Sequence, residues 1–127
     1  CDKMLSQGAD IIDIGAVSSR PGSKIISVKE EFNRLIPILT VLVKEFNSAI
    51  FSVDTYRSQI AKASIDEGAA IINDISGGKF DPKMLPLVGK SNTVYIAMHM
   101  QGSPHNMQKN LSYKDVTSEL LSFFWIK

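Results

Sequence analysis

The chain has 127 residues, 14 basic against 13 acidic, a formal net charge of +1, and 44% hydrophobic and 21% charged residues. That balance is ordinary for a folded α/β protein and argues against disorder; without a run of like charge, neither nucleic acid nor an anionic membrane surface is indicated as a partner. No apolar stretch approaches the roughly 20 residues that span a bilayer, no signal-peptide pattern is present, and the single cysteine, Cys1, cannot form an internal disulfide, so a cytoplasmic setting is expected.

Residues 1 to 7 read as the tail of a helix, with Gly8 just past its end. A first strand, about 9 to 15, leads into a loop from Ala16 to Ile26 that holds Ser18, Ser19, Arg20, Pro21, Gly22 and Ser23. Ser27-Val28-Lys29-Glu30 is a capping box, and Phe32, Leu35, Ile36, Leu39, Leu42, Val43 and Phe46 follow at helical spacing. Pro37 removes one backbone donor from that helix and is expected to kink it.

A second strand, about 49 to 54, passes directly into a helix from about Tyr56 to Glu67, closed by Gly68. The third strand, about 70 to 75, opens a Ser76-Gly77-Gly78 loop, and Asp81-Pro82 starts a short helix that runs to about Gly89. After a fourth strand, about 93 to 98, comes a polar loop from His99 to Leu111, and Ser112-Tyr113-Lys114-Asp115 can cap a last helix. Gly8-Ala9-Asp10-Ile11-Ile12-Asp13 resembles Gly68-Ala69-Ala70-Ile71-Ile72-Asn73, a repeated joint where glycine ends a helix and a buried strand begins.

Helix followed by parallel strand is the unit of either a doubly wound sheet or a (β/α)₈ barrel, and four strands make about half of a barrel. The chain begins at Cys1 without an initiator Met and stops within an amphipathic run, so 1–127 is expected to be a single partial domain truncated at both ends.

Each strand runs apolar and then turns polar, which brings Asp13, Asp54, Asn73, Asp74 and His99 towards one edge of the sheet, the edge where parallel α/β proteins bind ligands. Asp54 can accept two hydrogen bonds from an amidine-like N–H pair, or it can cap the helix that follows. Asn73 offers both a donor and an acceptor to a heteroaromatic edge; Asp74 points to the opposite face, and only one of the two can face a pocket. The loop with Ser18, Ser19 and Arg20 has the composition to hold a carboxylate or phosphate, or simply connects. His99 and His105, six apart with no acid in register, are a weak metal pair, and His99 reads as pocket-lining or structural. Gly77-Gly78 lacks phosphate-loop spacing and reads as a tight turn.

Taken together, Ile11-Ile12-Asp13-Ile14-Gly15, Ser18-Ser19-Arg20-Pro21-Gly22, Ser52-Val53-Asp54-Thr55, Ile71-Ile72-Asn73-Asp74-Ile75-Ser76-Gly77-Gly78 and Met98-His99-Met100-Gln101-Gly102-Ser103-Pro104 resemble the dihydropteroate synthases, in order and spacing, over essentially the whole chain. The resemblance implies an α/β fold, part of a (β/α)₈ TIM barrel covering about its second to fifth strands. It implies a transferase of folate biosynthesis that joins 4-aminobenzoate to 6-hydroxymethyl-7,8-dihydropterin diphosphate and releases pyrophosphate. Asp54 and Asn73 would then hold the pterin, Ser18, Ser19, Arg20 and Pro21 would form the lid loop over the aminobenzoate, and Asp13, Met98 and His99 would line the pocket.

Magnesium would accompany the diphosphate, with its main ligand outside this chain and none within it. The parent could be a homodimer, a state that the sequence does not fix, and the chain by itself is expected to be inactive for want of the diphosphate's cationic partners. Val17 stands where the family commonly has glutamate, and Ser19 where it has threonine. A pterin-binding methyltransferase domain resembles the same barrel, and a non-catalytic half barrel is the reading from a different class; the Ser-Arg-Pro-Gly lid favours the synthase.

Overall fold

The computed structural model of the chain describes residues 1–18, 23–103, 106–107 and 111–125. Their order is α1 (Asp2–Ser6), β1 (Ile11–Gly15), α2 (Val28–Glu45), β2 (Ile50–Asp54), α3 (Ser58–Asp66), β3 (Ile71–Asp74), α4 (Met84–Val88), β4 (Val94–Ala97) and α5 (Val116–Trp125). The strands form one parallel sheet in the order β1-β2-β3-β4, so every connection is a crossover through a loop and a helix.

The repeated glycine joint has the same geometry both times. Gly8 and Gly68 take φ of +94° and +105°, the Ala9 N–H donates to Met4 O and the Ala69 N–H to Ser64 O, while the two glycine N–H groups donate to Leu5 O and Ile65 O. Each helix therefore ends in the same left-handed glycine cap, and the chain turns directly into the next strand. Helix α2 begins with one half of the capping box, Ser27 Oγ accepting from the Glu30 N–H, while Glu30 Oε1 accepts from Arg34, and the helix continues past Pro37 to Glu45. The last helix is capped by Asp115, whose carboxylate accepts from the Thr117 and Ser118 N–H groups. Asp81 has two tasks: its Oδ1 accepts from the Lys83 N–H at the start of the α4 turn, and its Oδ2 accepts from the Ser58 N–H at the start of α3.

The two faces of the sheet differ in kind. Ile12, Phe51, Val53 and Ile72 share one face and form the core with Leu35 and Leu39 of α2, Ile60 and Ala61 of α3, and Met84 and Val88 of α4. Burying each such side chain contributes about 1.5–3 kcal/mol. The opposite face carries Ile11, Ile50, Val94 and Ile96, which are 44–58% exposed, together with Asp13, Asp54 and Asn73. A doubly wound sheet has helices on both faces, whereas here the core lies on one side only, the arrangement of a barrel wall with its lumen side open.

Candidate functional site

Register places the polar strand ends together. Gly15 is paired with Asp54, Asp54 with Asn73 and Asn73 with Ile96, so these four residues form one row across the inner face. One step towards the N-terminal ends, Asp13, Ser52, Ile71 and Val94 form the next row. Asn73 Nδ2 reaches Asp13 Oδ2 at 3.4 Å. Gly15 leaves room for its neighbour: a Cβ there would lie 3.1 Å from the Asp54 Cβ.

The pair Asn73-Asp74 is resolved by what surrounds each. Asp74 faces the helices and is fully buried; its Oδ1 accepts from the Ser76 N–H and hydroxyl, and its Oδ2 from the Gly78 N–H and the Tyr95 hydroxyl. Burial and the Asp74 carboxylate together hold the Tyr95 phenol protonated, well above its usual range. Asp74 thus shapes the loop after β3, and Asn73 is the one presented on the inner face.

Asp54 is partly buried, and its carboxyl is pushed up to about 6, first by burial and then by the negative charges of Asp13, Glu31 and Asp74. Among the described residues no ion pair involves Asp54 or Asp13. An acid so placed favours a ligand that brings N–H donors or positive charge.

Beside Asp54 lies a recess of about 220 Å³, lined by Asp54, Thr55, Tyr56, Val17, Ser18, Ser23, Ile25, Ile75, Phe80 and Ser103. Its aromatic wall is fixed by Tyr56 and Phe80, packed edge to face with centroids 5.4 Å apart. Ser18 contributes its carbonyl to a hydrogen bond from Ser23 Oγ, 2.6 Å, across the base of the loop. Ser19, Arg20 and Pro21, expected on the lid, lie outside the described residues.

Met98 and His99 part company. Met98 continues the pairing of β4, donating its N–H to Asp74 O, and its side chain is 37% exposed. His99 packs edge to face on Phe123 at 4.8 Å, with Tyr113 at 5.9 Å, and lines a separate open cleft with Lys79 and Glu119. Among the described residues no three His, Cys, Asp or Glu side chains converge as a metal cluster.

Tyr56, Phe80 and the buried carboxylate of Glu31 lie around the site but are absent from the expected set. Glu31 had a legible signal, since it sits four and eight residues before Leu35 and Leu39 on the apolar stripe of α2. A charge on that stripe needs a partner, and Thr55 and Arg57 supply it.

Residues 1–126 match the sequence profile of the family described as "Pterin binding enzyme". The chain belongs to the pterin binding enzyme family. It is 44% identical over 128 residues to the mitochondrial folate synthesis bifunctional protein of Arabidopsis thaliana, matching 98% of this chain and 23% of that protein. Among solved structures it resembles Yersinia pestis dihydropteroate synthase in a sulfonamide drug complex, with 38% identity and a TM-score of 0.90 over 98% of this chain and 45% of that one. It also resembles Burkholderia cenocepacia dihydropteroate synthase complexed with 7,8-dihydropteroate, with 36% identity and a TM-score of 0.84 over 98% of this chain and 44% of that one. The chain thus spans less than half the length of these relatives, and the pterin-binding fold in it is part of a TIM barrel.

Proposed function

We propose that this chain is the pterin-reading part of a dihydropteroate synthase, which condenses 4-aminobenzoate with 6-hydroxymethyl-7,8-dihydropterin diphosphate to give 7,8-dihydropteroate and pyrophosphate. The observation that carries the reading is the row Gly15-Asp54-Asn73 on the open inner face, a carboxylate and an amide side by side, the carboxylate in no ion pair among the described residues. Asp54 accepts the adjacent ring and exocyclic N–H groups of the aminopyrimidinone, and Asn73 pairs through its amide with the same edge. The recess beside Asp54 takes the aromatic ring of the amine, with Val17, Ser18, Ser23 and Ile25 among its lining residues.

In this reading the pterin C–O bond breaks, diphosphate leaves with the electron pair, and the amine nitrogen captures the methylene carbon and then releases a proton. The chain's own groups orient the two rings, and the negative charges of Asp54 and Asp13 stabilise the positive charge that develops on the pterin. Magnesium would shield the departing diphosphate. Among the described residues no three metal-ligating side chains converge to hold it. The same reading carries a cytoplasmic setting, suited to a lone free cysteine, and a homodimeric parent. Among the described residues no helix is long and apolar enough to cross a membrane.

Calorimetric titration of the chain with 6-hydroxymethylpterin tests the proposal. The expected result is saturable binding, weakened about a hundredfold in Asp54→Asn, because an amide leaves one of the two N–H groups facing a donor. Equal affinity in the two proteins would refute the assignment of Asp54.

A further inference from the structure

Next to Thr55 in the recess lining, three parts of the chain meet on one buried ion pair. Glu31, in the first turn of α2, is 1% exposed. Its Oε1 accepts from the Thr55 hydroxyl at 2.8 Å, and its Oε2 from Arg57 Nη1 at 2.6 Å. The other arm of the guanidinium, Nη2, donates to the Ile26 carbonyl at 2.7 Å, and the Arg57 N–H donates to Thr55 Oγ1 at 3.2 Å. The Arg57 side chain is 15% exposed.

The positions of these partners give the pair a role beyond stability. Thr55 directly follows Asp54 and lines the recess. Ile26 ends the loop that contributes Ser23 and Ile25 to the same recess, immediately before the Ser27 cap of α2. One guanidinium therefore ties the strand end that carries Asp54 to the returning limb of the loop, and a rigid two-armed donor fixes their separation in a way that a single ammonium cannot.

We propose that Arg57, held by Glu31, is a positioning residue that sets the 23–26 wall of the recess and thereby controls occupancy by the arylamine, leaving the pterin edge on Asp54 and Asn73 unaffected. The assignment rests on the arylamine reading of the recess given above. Arg57→Lys retains the charge and loses the fork, and Glu31→Gln retains the shape and loses the charge.

In both variants the affinity of the pterin-loaded chain for 4-aminobenzoate is expected to fall about tenfold, while that for 6-hydroxymethylpterin stays within about twofold. Amide hydrogen exchange should quicken in residues 23–27 and remain unchanged in Ile71–Asp74. A parallel loss of both ligands, or faster exchange across Ile71–Asp74, would mean that the pair only supports the fold and would overturn the proposal. Unchanged 4-aminobenzoate binding in both variants would overturn it alone. An unmodified chain that takes up no 4-aminobenzoate would overturn the functional reading as well, and that result is seen before either variant is made.

Discussion

Replacing Asp54 by asparagine should make the protein more stable at neutral pH while it weakens pterin binding. The carboxyl moves from an ordinary 3.8 to about 6 on folding, with burial the largest cause. At 1.36 kcal/mol per pH unit that difference amounts to about 3 kcal/mol, and partial exposure of the side chain screens it to about 1–2 kcal/mol. The sign follows from proton uptake. Below 3.8 the group is protonated in both states and there is no penalty. Between 3.8 and about 6 it is ionised in the unfolded chain and protonated in the folded one, so stability falls as pH rises. Above about 6 it is ionised in both states and the full cost is present. Asp54→Asn removes the ionisation and nearly preserves the shape. Urea unfolding at pH 7.5 should therefore show the variant about 1–2 kcal/mol more stable, and the gain should vanish near pH 3.5. A variant less stable than the parent at pH 7.5, or a gain of the same size at both pH values, would refute the account of a carboxylate held at a cost for its ligand.

Three further substitutions separate the roles of neighbouring residues. Asp74→Ala leaves the Gly78 and Ser76 N–H groups and the Tyr95 hydroxyl without their acceptor, and should cost about 3–5 kcal/mol in urea unfolding at pH 7, against about 1.5–3 kcal/mol for Tyr95→Phe. Gly15→Ala places a Cβ 3.1 Å from the Asp54 Cβ and 3.2 Å from its carbonyl oxygen. By displacing Asp54 it should weaken 6-hydroxymethylpterin binding about tenfold or more in calorimetry, with far-UV circular dichroism unchanged.

The strands were legible because their apolar runs are short and bounded by turn residues, and the repeated cap at Gly8 and Gly68 before β1 and β3 follows from six residues of sequence in each copy. Asp54 was legible as a strand-end carboxylate. The choice between Asn73 and Asp74 was not, because alternation says that two adjacent residues face opposite sides without saying which side is open. Only the partners gathered around Asp74, one of them 21 residues later at Tyr95, settle it. Arg57 was not legible for a similar reason: its partners at Glu31 and Ile26 lie 26 and 31 residues away and meet it only once α2 has folded back over the sheet. The segment Ser112-Tyr113-Lys114-Asp115 was legible as a cap, and the hydrogen bonds assign the cap to Asp115, which directly precedes Val116, the first residue of α5. His99 shares its segment with Met98 but not its surroundings, since one step along a strand end reverses the direction of the side chain.

Asp54 and Asn73 stand on adjacent strands in the same row, so main-chain hydrogen bonding sets the gap between their backbones, about 4.8 Å in any paired sheet. No hinge or linker lies between the two groups. Substitutions in the helices or loops can tilt the sheet or reshape the rim, yet they cannot easily change this interval without breaking strand pairing. If Asp54 and Asn73 hold the pterin as proposed, recognition of a flat heterocycle through two fixed points is inherited from the backbone ladder. Selectivity for what is attached to that heterocycle is left to segments free to vary, and chains with quite different rims can read the same ring.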